Sequence, residues 1–234
     1  MKDILQIRNL QVKVEEKKIV KGVSLVLKKG QVQAVLGPNA AGKSSLLKAI
    51  IGLSDYQIVK GGVFFAGQKI NNLSLKQRAD LGIALIYQSP PAIKGVKLGD
   101  FLQKIKKNSF VKTDKKEEKL LNRQLNIGFS GGEKKISELL QARQLKPKLV
   151  LVDEIDSGLD VVNLAKVARI LKKEFVDQGT AVLLVTHQGE IMKYLKPSLA
   201  HVMLGGRLVC SESWSKVWQT IKNHGYKECY QCLK

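Results

Sequence analysis

Apolar and polar residues alternate through the first thirty positions, as they do in strands with one buried face. The run ILQIRNLQVKV (residues 4–14) and the run IVKGVSLVLKKG (residues 19–30) flank a polar turn at Glu15–Lys18. Because side chains two positions apart share one face of a strand, this pattern predicts an antiparallel pair. A further strand is expected at GGVFFAGQKI, residues 61–70.

Three shorter segments are expected to be buried strands: VQAVL (Val32–Leu36) and the continuous apolar runs LVLVDE (Leu149–Glu154) and AVLLVTH (Ala181–His187). Such runs are typical of parallel strands that are buried on both faces. Apolar residues at helical spacing follow the first run, in SSLLKAIIGL, and precede the third, in LAKVARILKKEF. This order predicts an α/β fold with a parallel sheet core, to which the N-terminal strands add an antiparallel layer.

The C-terminal part of the chain shows both patterns. HVMLGGRLVC (residues 201–210) predicts a hairpin that turns at Gly205-Gly206, and SKVWQTIKNHGY (residues 215–226) predicts an amphipathic helix. No internal repeat or low-complexity linker separates the predicted elements. We therefore expect a single domain over residues 1–234.

Composition adds a charge question to this picture. The chain of 234 residues is 44% apolar and carries 40 Lys and Arg against 20 Asp and Glu, a formal charge of +20. This excess fits a solvated lysine-rich surface, an acidic partner or nucleic acid. The lysine-rich run at residues 104–119 mixes both signs and does not interleave arginine with aromatic residues, which makes nucleic acid the less expected partner.

Two further features bear on where the protein works. No segment approaches the ~20 apolar residues of a membrane span, and the first residues lack a secretory hydrophobic region. We therefore expect a cytoplasmic protein, whose three cysteines stay reduced.

The segment GPNAAGKSS directly follows one predicted strand and opens a predicted helix. It contains the frame Gly37-x-x-x-x-Gly42-Lys43-Ser44 of a phosphate-binding loop. In such loops backbone N–H groups surround the phosphates, the lysine contacts the β- and γ-phosphates, and the hydroxyl binds Mg²⁺. The residues predicted to bind ATP here are Gly37, Pro38, Asn39, Ala40, Ala41, Gly42, Lys43, Ser44 and Ser45.

Two acids end the strand LVLVDE, at the edge of a parallel sheet where ligands bind. Asp153 is expected to share the Mg²⁺ with Ser44, and Glu154 to polarise the attacking water. Ser130-Gly131-Gly132 leads into a predicted helix and offers a second anion-binding N-terminus. Taken alone, Ser130 is equally well explained as an ordinary helix cap.

The order of these segments resembles that of the ATP-binding-cassette (ABC) ATPases over almost the whole chain. The motifs that carry the resemblance are Gly37–Ser45, Gln88, FSGGE (residues 129–133), LVLVDE, SGLD (residues 157–160) and His187.

The resemblance assigns further roles. It implies that Gln88 contacts Mg²⁺ and the water, that His187 senses the γ-phosphate, and that Asp160 is the D-loop aspartate. It also implies that Ser130-Gly131-Gly132 contacts the γ-phosphate of the opposite subunit. Since the chain has one phosphate loop and one such signature, a closed site needs two chains, and ATP should drive homodimerisation.

Within the ABC ATPases, the chain is similar to the SufC group, which serves the SUF system of iron–sulfur cluster assembly. FSGGEKK, DEIDSGLD and the segment IMKYLKPSLAHVMLGGRLV (residues 191–209) carry this similarity. It implies a SufB-type scaffold as partner, with or without a SufD-type protein, and the ATP-driven dimer would remodel this scaffold. Two alternatives stay open: the ATPase subunit of a membrane transporter, and a basic nucleic-acid- or ribosome-associated ABC protein.

The similarity also divides the chain into a catalytic core, residues 1–88 and 128–234, and a helical subdomain at residues 89–127 that is shorter than the group usually has. Ala40 stands where the family loop usually has glycine. If the backbone there has a positive φ, a Cβ costs about 1 kcal/mol, and we expect weaker ATP binding or slower turnover.

Cys229 and Cys232 form a C-x-x-C pair close to the C-terminus. Two thiolates are fewer than the four ligands of a closed zinc or iron–sulfur site, so a metal or cluster would need ligands from a partner. A terminal segment without function is the alternative.

Overall fold

The computed structural model describes residues 2–105, 115–226 and 229, and within them ten strands form two sheets. The strands are β1 Asp3–Val14, β2 Lys17–Lys28, β3 Val32–Leu36, β4 Gln57–Phe65, β5 Gln68–Lys69, β6 Ile83–Ile86, β7 Leu149–Asp153, β8 Ala181–Thr186, β9 Leu199–Leu204 and β10 Arg207–Glu212. The helices are α1 Lys43–Ile51, α2 Leu75–Leu81, α3 Leu98–Ile105, α4 Lys115–Leu121, α5 Gly131–Gln144, α6 Val161–Leu171, α7 Met192–Leu195 and α8 Trp214–His224, with a π-helical turn at Lys172–Val176 after α6.

The antiparallel layer has the strand order β2-β1-β4-β5, which confirms the pairing predicted from alternation. The alternation is broken once. Buried side chains of β1 lie at Leu5 and Ile7 before the break and at Leu10 and Val12 after it. Asn9 has a φ of 45°, and the register with both neighbouring strands shifts there, so a bulge moves the buried face by one residue.

The second sheet has the order β10-β9-β3-β8-β7-β6, in which all neighbours are parallel except the edge pair β9–β10. Every residue of β3, β7 and β8 is buried, as the apolar runs of β7 and β8 predict, and β3 also buries the polar Gln33. The hairpin at Gly205-Gly206 and the α/β class are confirmed as well. Because the strands are parallel, their carboxyl ends meet at one edge of the sheet.

Helices cover both faces of this parallel sheet. Helix α1 lies between it and the antiparallel layer, in a core built from the inward faces of both sheets. Helices α5, α6 and α8 pack on the opposite face in a second core. Helices α3 and α4 lie against α5 and belong to the part predicted as a small helical subdomain. The parallel sheet, whose carboxyl edge carries the predicted motifs, is thus packed against a hydrophobic core on each face.

Candidate functional site

A pocket of about 420 Å³ opens at the carboxyl edge of the parallel sheet. The residues around it follow β3, β6, β7 and β8, the four strands whose ends converge there. Its lining consists of Asn39, Ala40, Ala41, Gly42, Lys43, Ser44, Ser45, Gln88, Glu154, Ser157 and His187.

Lys43 is the cation of this pocket. It is 4% exposed, and its Nζ donates hydrogen bonds to the carbonyl oxygens of Gly37 (2.9 Å) and Pro38 (3.0 Å). The chain passes close to β9 at this point, since a Cβ on Gly37 would lie 2.3 Å from the Met203 carbonyl oxygen. The amides of the first turn of α1 have no intrahelical acceptor. Lysine, bent loop and helix N-terminus together suit a phosphate group.

Ser44 and Asp153 form the next contact. The Ser44 hydroxyl donates a hydrogen bond of 2.7 Å to Asp153 Oδ1. Burial raises the pKa of Asp153, and the hydrogen bond from Ser44 opposes that rise. Hydroxyl and carboxylate oxygens are ligands that Mg²⁺ accepts when phosphates and water complete its shell. No cluster of three or more His, Cys, Asp or Glu side chains occurs in the described ranges, so phosphate oxygens and water would have to supply the other ligands.

Glu154 joins the side chains predicted to be catalytic. Gln88 Nε2 donates a hydrogen bond of 2.8 Å to Glu154 Oε2, and His187 Nδ1 lies 3.4 Å from the same oxygen. Lys43 Nζ lies 3.4 Å from the other oxygen, Oε1. The backbone of Glu154 has a φ of 42° and donates its N–H to the Val185 carbonyl of the neighbouring strand. This turn points the carboxylate into the pocket rather than along the strand.

The pocket therefore combines a buried lysine at a helix start, a hydroxyl paired with a carboxylate, and a second carboxylate beside an amide and an imidazole. A model of the ABC transporter family matches residues 20–157, more than half of the chain. The chain belongs to the ABC ATPase family. It is an ATPase, with the ATP-binding cassette fold.

Individual relatives extend the match along the chain. The ABC ATPase is 40% identical to a probable ABC transporter ATP-binding protein of Streptococcus pyogenes serotype M3, over 89% of this chain and 88% of that one. It is 38% identical to the probable ATP-dependent transporter SufC of Escherichia coli, over 95% of this chain and 97% of that one. A dimeric ATP-binding cassette solved with ADP and inorganic phosphate superimposes with a TM-score of 0.75 at 20% identity, covering 90% of this chain and 99% of that chain.

The signature of this ABC ATPase lies outside its own pocket. Ser130 caps α5: its hydroxyl accepts a hydrogen bond from the Glu133 N–H, and the Glu133 carboxylate accepts one from the Ser130 N–H. This hydrogen bond from the Ser130 backbone is the main reason why the pKa of Glu133 is lowered. Among the residues that the structure describes, Ser130, Gly131 and Gly132 are not part of the pocket lining. Ser130 can be a helix cap and also belong to the predicted signature, because α5 begins at Gly131 and Gly132 directly after the cap.

Asp160 is also a helix cap. Its carboxylate accepts hydrogen bonds from the N–H (2.9 Å) and the side-chain amide (2.6 Å) of Asn163, and these bonds hold its pKa below the usual range. Gly132 faces the same amide, since a Cβ there would lie 3.1 Å from Asn163 Oδ1. The starts of α5 and α6 are therefore neighbours, and Asp160 lies beside the signature.

The backbone of Ala40 has the positive φ at which a Cβ is expected to cost free energy. Its φ is 61°, in the left-handed region, and its side chain is exposed. The cost of a Cβ at this position therefore applies to the loop as it stands.

The cysteine pair is only partly described. Cys229 is 3% exposed and packs in the core with α5, α6 and α8, whereas Cys232 lies outside the described residues. A metal or cluster role for the pair stays a prediction.

Lys135, Asp156 and Thr186 lie beside the predicted site residues but were not predicted from the sequence. Lys135, buried in α5, donates a hydrogen bond to the Gln88 carbonyl, and burial lowers the pKa of its ammonium group. The Thr186 hydroxyl donates to Asp156 Oδ2 (2.5 Å) and accepts hydrogen bonds from the N–H groups of residues 188 and 189. The sequence signal that could have identified two of them is their position: Asp156 is two residues after Glu154, and Thr186 directly precedes His187.

Among the described residues, no helix is both long and apolar enough to span a membrane.

Proposed function

We propose that this ABC ATPase is a SufC-type subunit, which uses ATP-driven dimerisation to remodel a SufB-type scaffold, with or without a SufD-type protein, during iron–sulfur cluster assembly. The observation that carries the proposal is the combination of FSGGEKK and DEIDSGLD in a chain that aligns with SufC of Escherichia coli over 95% of its length. The proposal places the protein in the cytoplasm.

In this proposal the phosphates of ATP bind to the loop at residues 37–45 and to Lys43. Ser44 and Asp153 hold Mg²⁺, with Gln88 at the edge of its shell, and the bound ion neutralises charge on the phosphates. The contact between Ser44 and Asp153 supports this assignment, because the two oxygens are already side by side. Phosphoryl transfer depends on such positioning and charge stabilisation more than on covalent chemistry.

Glu154 polarises the attacking water. In the described structure Gln88 donates a hydrogen bond to one carboxylate oxygen, while Lys43 Nζ and His187 Nδ1 each lie 3.4 Å from a carboxylate oxygen. ATP offers Lys43 a stronger partner in its phosphates, which frees Oε1 of Glu154 to accept a proton from water. Gln88 and His187 then orient the carboxylate and sense the γ-phosphate.

A second copy completes the site. The helix start at Ser130-Gly131-Gly132 presents backbone N–H groups outside the pocket of its own chain, and an opposing chain can place them on the γ-phosphate. The dimer of the related cassette with ADP and inorganic phosphate supports this arrangement. Asp160, beside the signature, then lies at the dimer interface.

Co-purification tests the proposal. A tagged chain is recovered from cells that express it at native level, separately from the soluble and the membrane fraction, and its companions are identified by mass spectrometry. We expect a soluble SufB-like scaffold, whose iron content falls when Glu154→Gln replaces the wild type. Recovery of a membrane permease without a scaffold would show that the protein is a transporter subunit. The relative from Streptococcus pyogenes, which is named as a probable ABC transporter ATP-binding protein, supports this second candidate.

A further inference from the structure

The C-terminal segment packs directly on two loops of the ATP site. Helix α8 covers the loop that follows His187, and a Cβ on Gly189 would lie 2.4 Å from the ring of Trp218. The chain then turns at Gly225 and returns toward the phosphate loop, where Tyr226 is half-buried. The segment is therefore in a position to act on both loops.

The hydroxyl of Tyr226 connects these two loops. It donates a hydrogen bond to the His187 carbonyl oxygen, at 3.4 Å, and accepts one from the Gly37 N–H. Burial raises the pKa of Tyr226 to about 12, so the hydroxyl keeps its proton at neutral pH and can serve as donor and acceptor at once. The Gly37 carbonyl in turn accepts a hydrogen bond from Lys43.

His187 needs such a connection, because its side chain has little to hold it. Its Nδ1 is buried, and no acceptor for it occurs among the described residues, with Glu154 Oε2 at 3.4 Å outside hydrogen-bond geometry. The loop behind it is held by Thr186, which accepts hydrogen bonds from residues 188 and 189. The position of the imidazole therefore depends on the backbone at residue 187, where Tyr226 binds.

We propose that Tyr226 is a positioning residue of the ATPase, which sets the distance between the phosphate loop and His187. It does not contact the nucleotide and acts through the backbone of His187. The inference rests on the proposed role of His187 as the group that senses the γ-phosphate.

The experiment compares Tyr226→Phe with Tyr194→Phe in steady-state hydrolysis of Mg-ATP by the full chain. Tyr194 is half-buried against the same core cluster, so this control removes a hydroxyl from a similar environment away from the pocket. In Tyr226→Phe we expect kcat to fall on the order of tenfold, because a displaced catalytic group loses its geometry. We expect KM to change less than about twofold, because the two carbonyl contacts of Lys43 remain.

A double-mutant comparison separates positioning from general damage. If Tyr226 acts through His187, the variant His187→Ala loses activity, and adding Tyr226→Phe to it causes no further loss. A tenfold additional loss in the double variant would overturn the inference. So would equal kcat values for Tyr226→Phe and Tyr194→Phe.

The unfolding midpoints of all variants show whether each is folded at the assay temperature. A Tyr226→Phe variant that unfolds at the same temperature as Tyr194→Phe and still loses kcat supports positioning. Wild-type activity in His187→Ala would refute the proposed role of His187 and this inference together. Lost activity in His187→Ala with full activity in Tyr226→Phe would refute the inference alone.

Discussion

Replacing Ala40 with glycine should improve the phosphate loop, and the size of the gain can be worked out from its backbone. Ala40 has a φ of 61°, a conformation that costs a residue with a Cβ roughly 1–2 kcal/mol. Glycine removes this cost but loses about 0.5–1 kcal/mol more backbone entropy on ordering. The side chain is exposed, so its removal sacrifices no core packing. The net gain is therefore roughly 0–1.5 kcal/mol, equivalent to at most about tenfold in a dissociation constant.

Ala66 provides a matched control. It is also an exposed alanine in the left-handed region, with a φ of 49°, but it lies in the turn between β4 and β5. Ala40→Gly and Ala66→Gly should both raise the unfolding midpoint, by about 2–4 °C for a chain of this size. Only Ala40→Gly should tighten ATP binding, measured by calorimetry with Glu154→Gln to prevent turnover. Equal ATP affinities for the two variants would refute the argument that the Cβ strains the nucleotide cradle.

Three other expectations follow from caps and buried titratable groups. Ser130→Ala and Ser74→Ala each remove a capping box and about 1 kcal/mol of stability, but only Ser130→Ala should weaken the ATP-dependent dimer of Glu154→Gln in gel filtration. Burial lowers the pKa of His201 from 6.5 to about 4, so below pH 6.5 the unfolded chain binds a proton that the folded chain does not bind. The free energy of unfolding, measured with urea, should therefore fall below pH 6.5, by about 2 kcal/mol at pH 5. His201→Gln should lack this loss. Burial raises the pKa of Glu138 from 4.5 to about 7, so the stability of the wild type falls as the pH rises from 4.5 to 7, and Glu138→Gln should be more stable than the wild type by about 3 kcal/mol at pH 8.

The parallel core could be predicted because burial on both faces leaves few alternatives for a strand. Such a strand admits few polar residues: β7 and β8 are apolar up to their last residue, and β3 buries one polar side chain, Gln33, which donates a hydrogen bond to the Val26 carbonyl. The phosphate loop was equally accessible, because its function fixes residue types at fixed spacing. β6 was missed: four residues are too short for a periodic signal, although this strand delivers Gln88 to the pocket.

The remaining features depend on neighbours that are remote in the sequence. The bulge at Asn9 becomes visible only when two partner strands fix the register of β1. Ser130 and Asp160 were predicted to be functional residues. That both also cap helices depends on the dihedral angles of each N-cap residue and on local hydrogen bonds. Tyr226 looks like an ordinary aromatic near the end of a helix, and its contacts with Gly37 and His187 exist only in the folded chain.

In the proposed dimer, helix α5 joins the surface for the second copy to the carboxylate of Glu154. Ser130 and Gly131, at its start, are exposed and would face the opposing nucleotide in the proposed dimer, whereas Gly132 is buried. Little more than a turn later, Lys135 donates a hydrogen bond to the Gln88 backbone, and the Gln88 side chain donates one to Glu154. In the proposed dimer, a displacement of the start of α5 would reach Glu154 through Lys135 and Gln88. This coupling would let hydrolysis wait for a second chain although one pocket already contains Lys43 and Glu154.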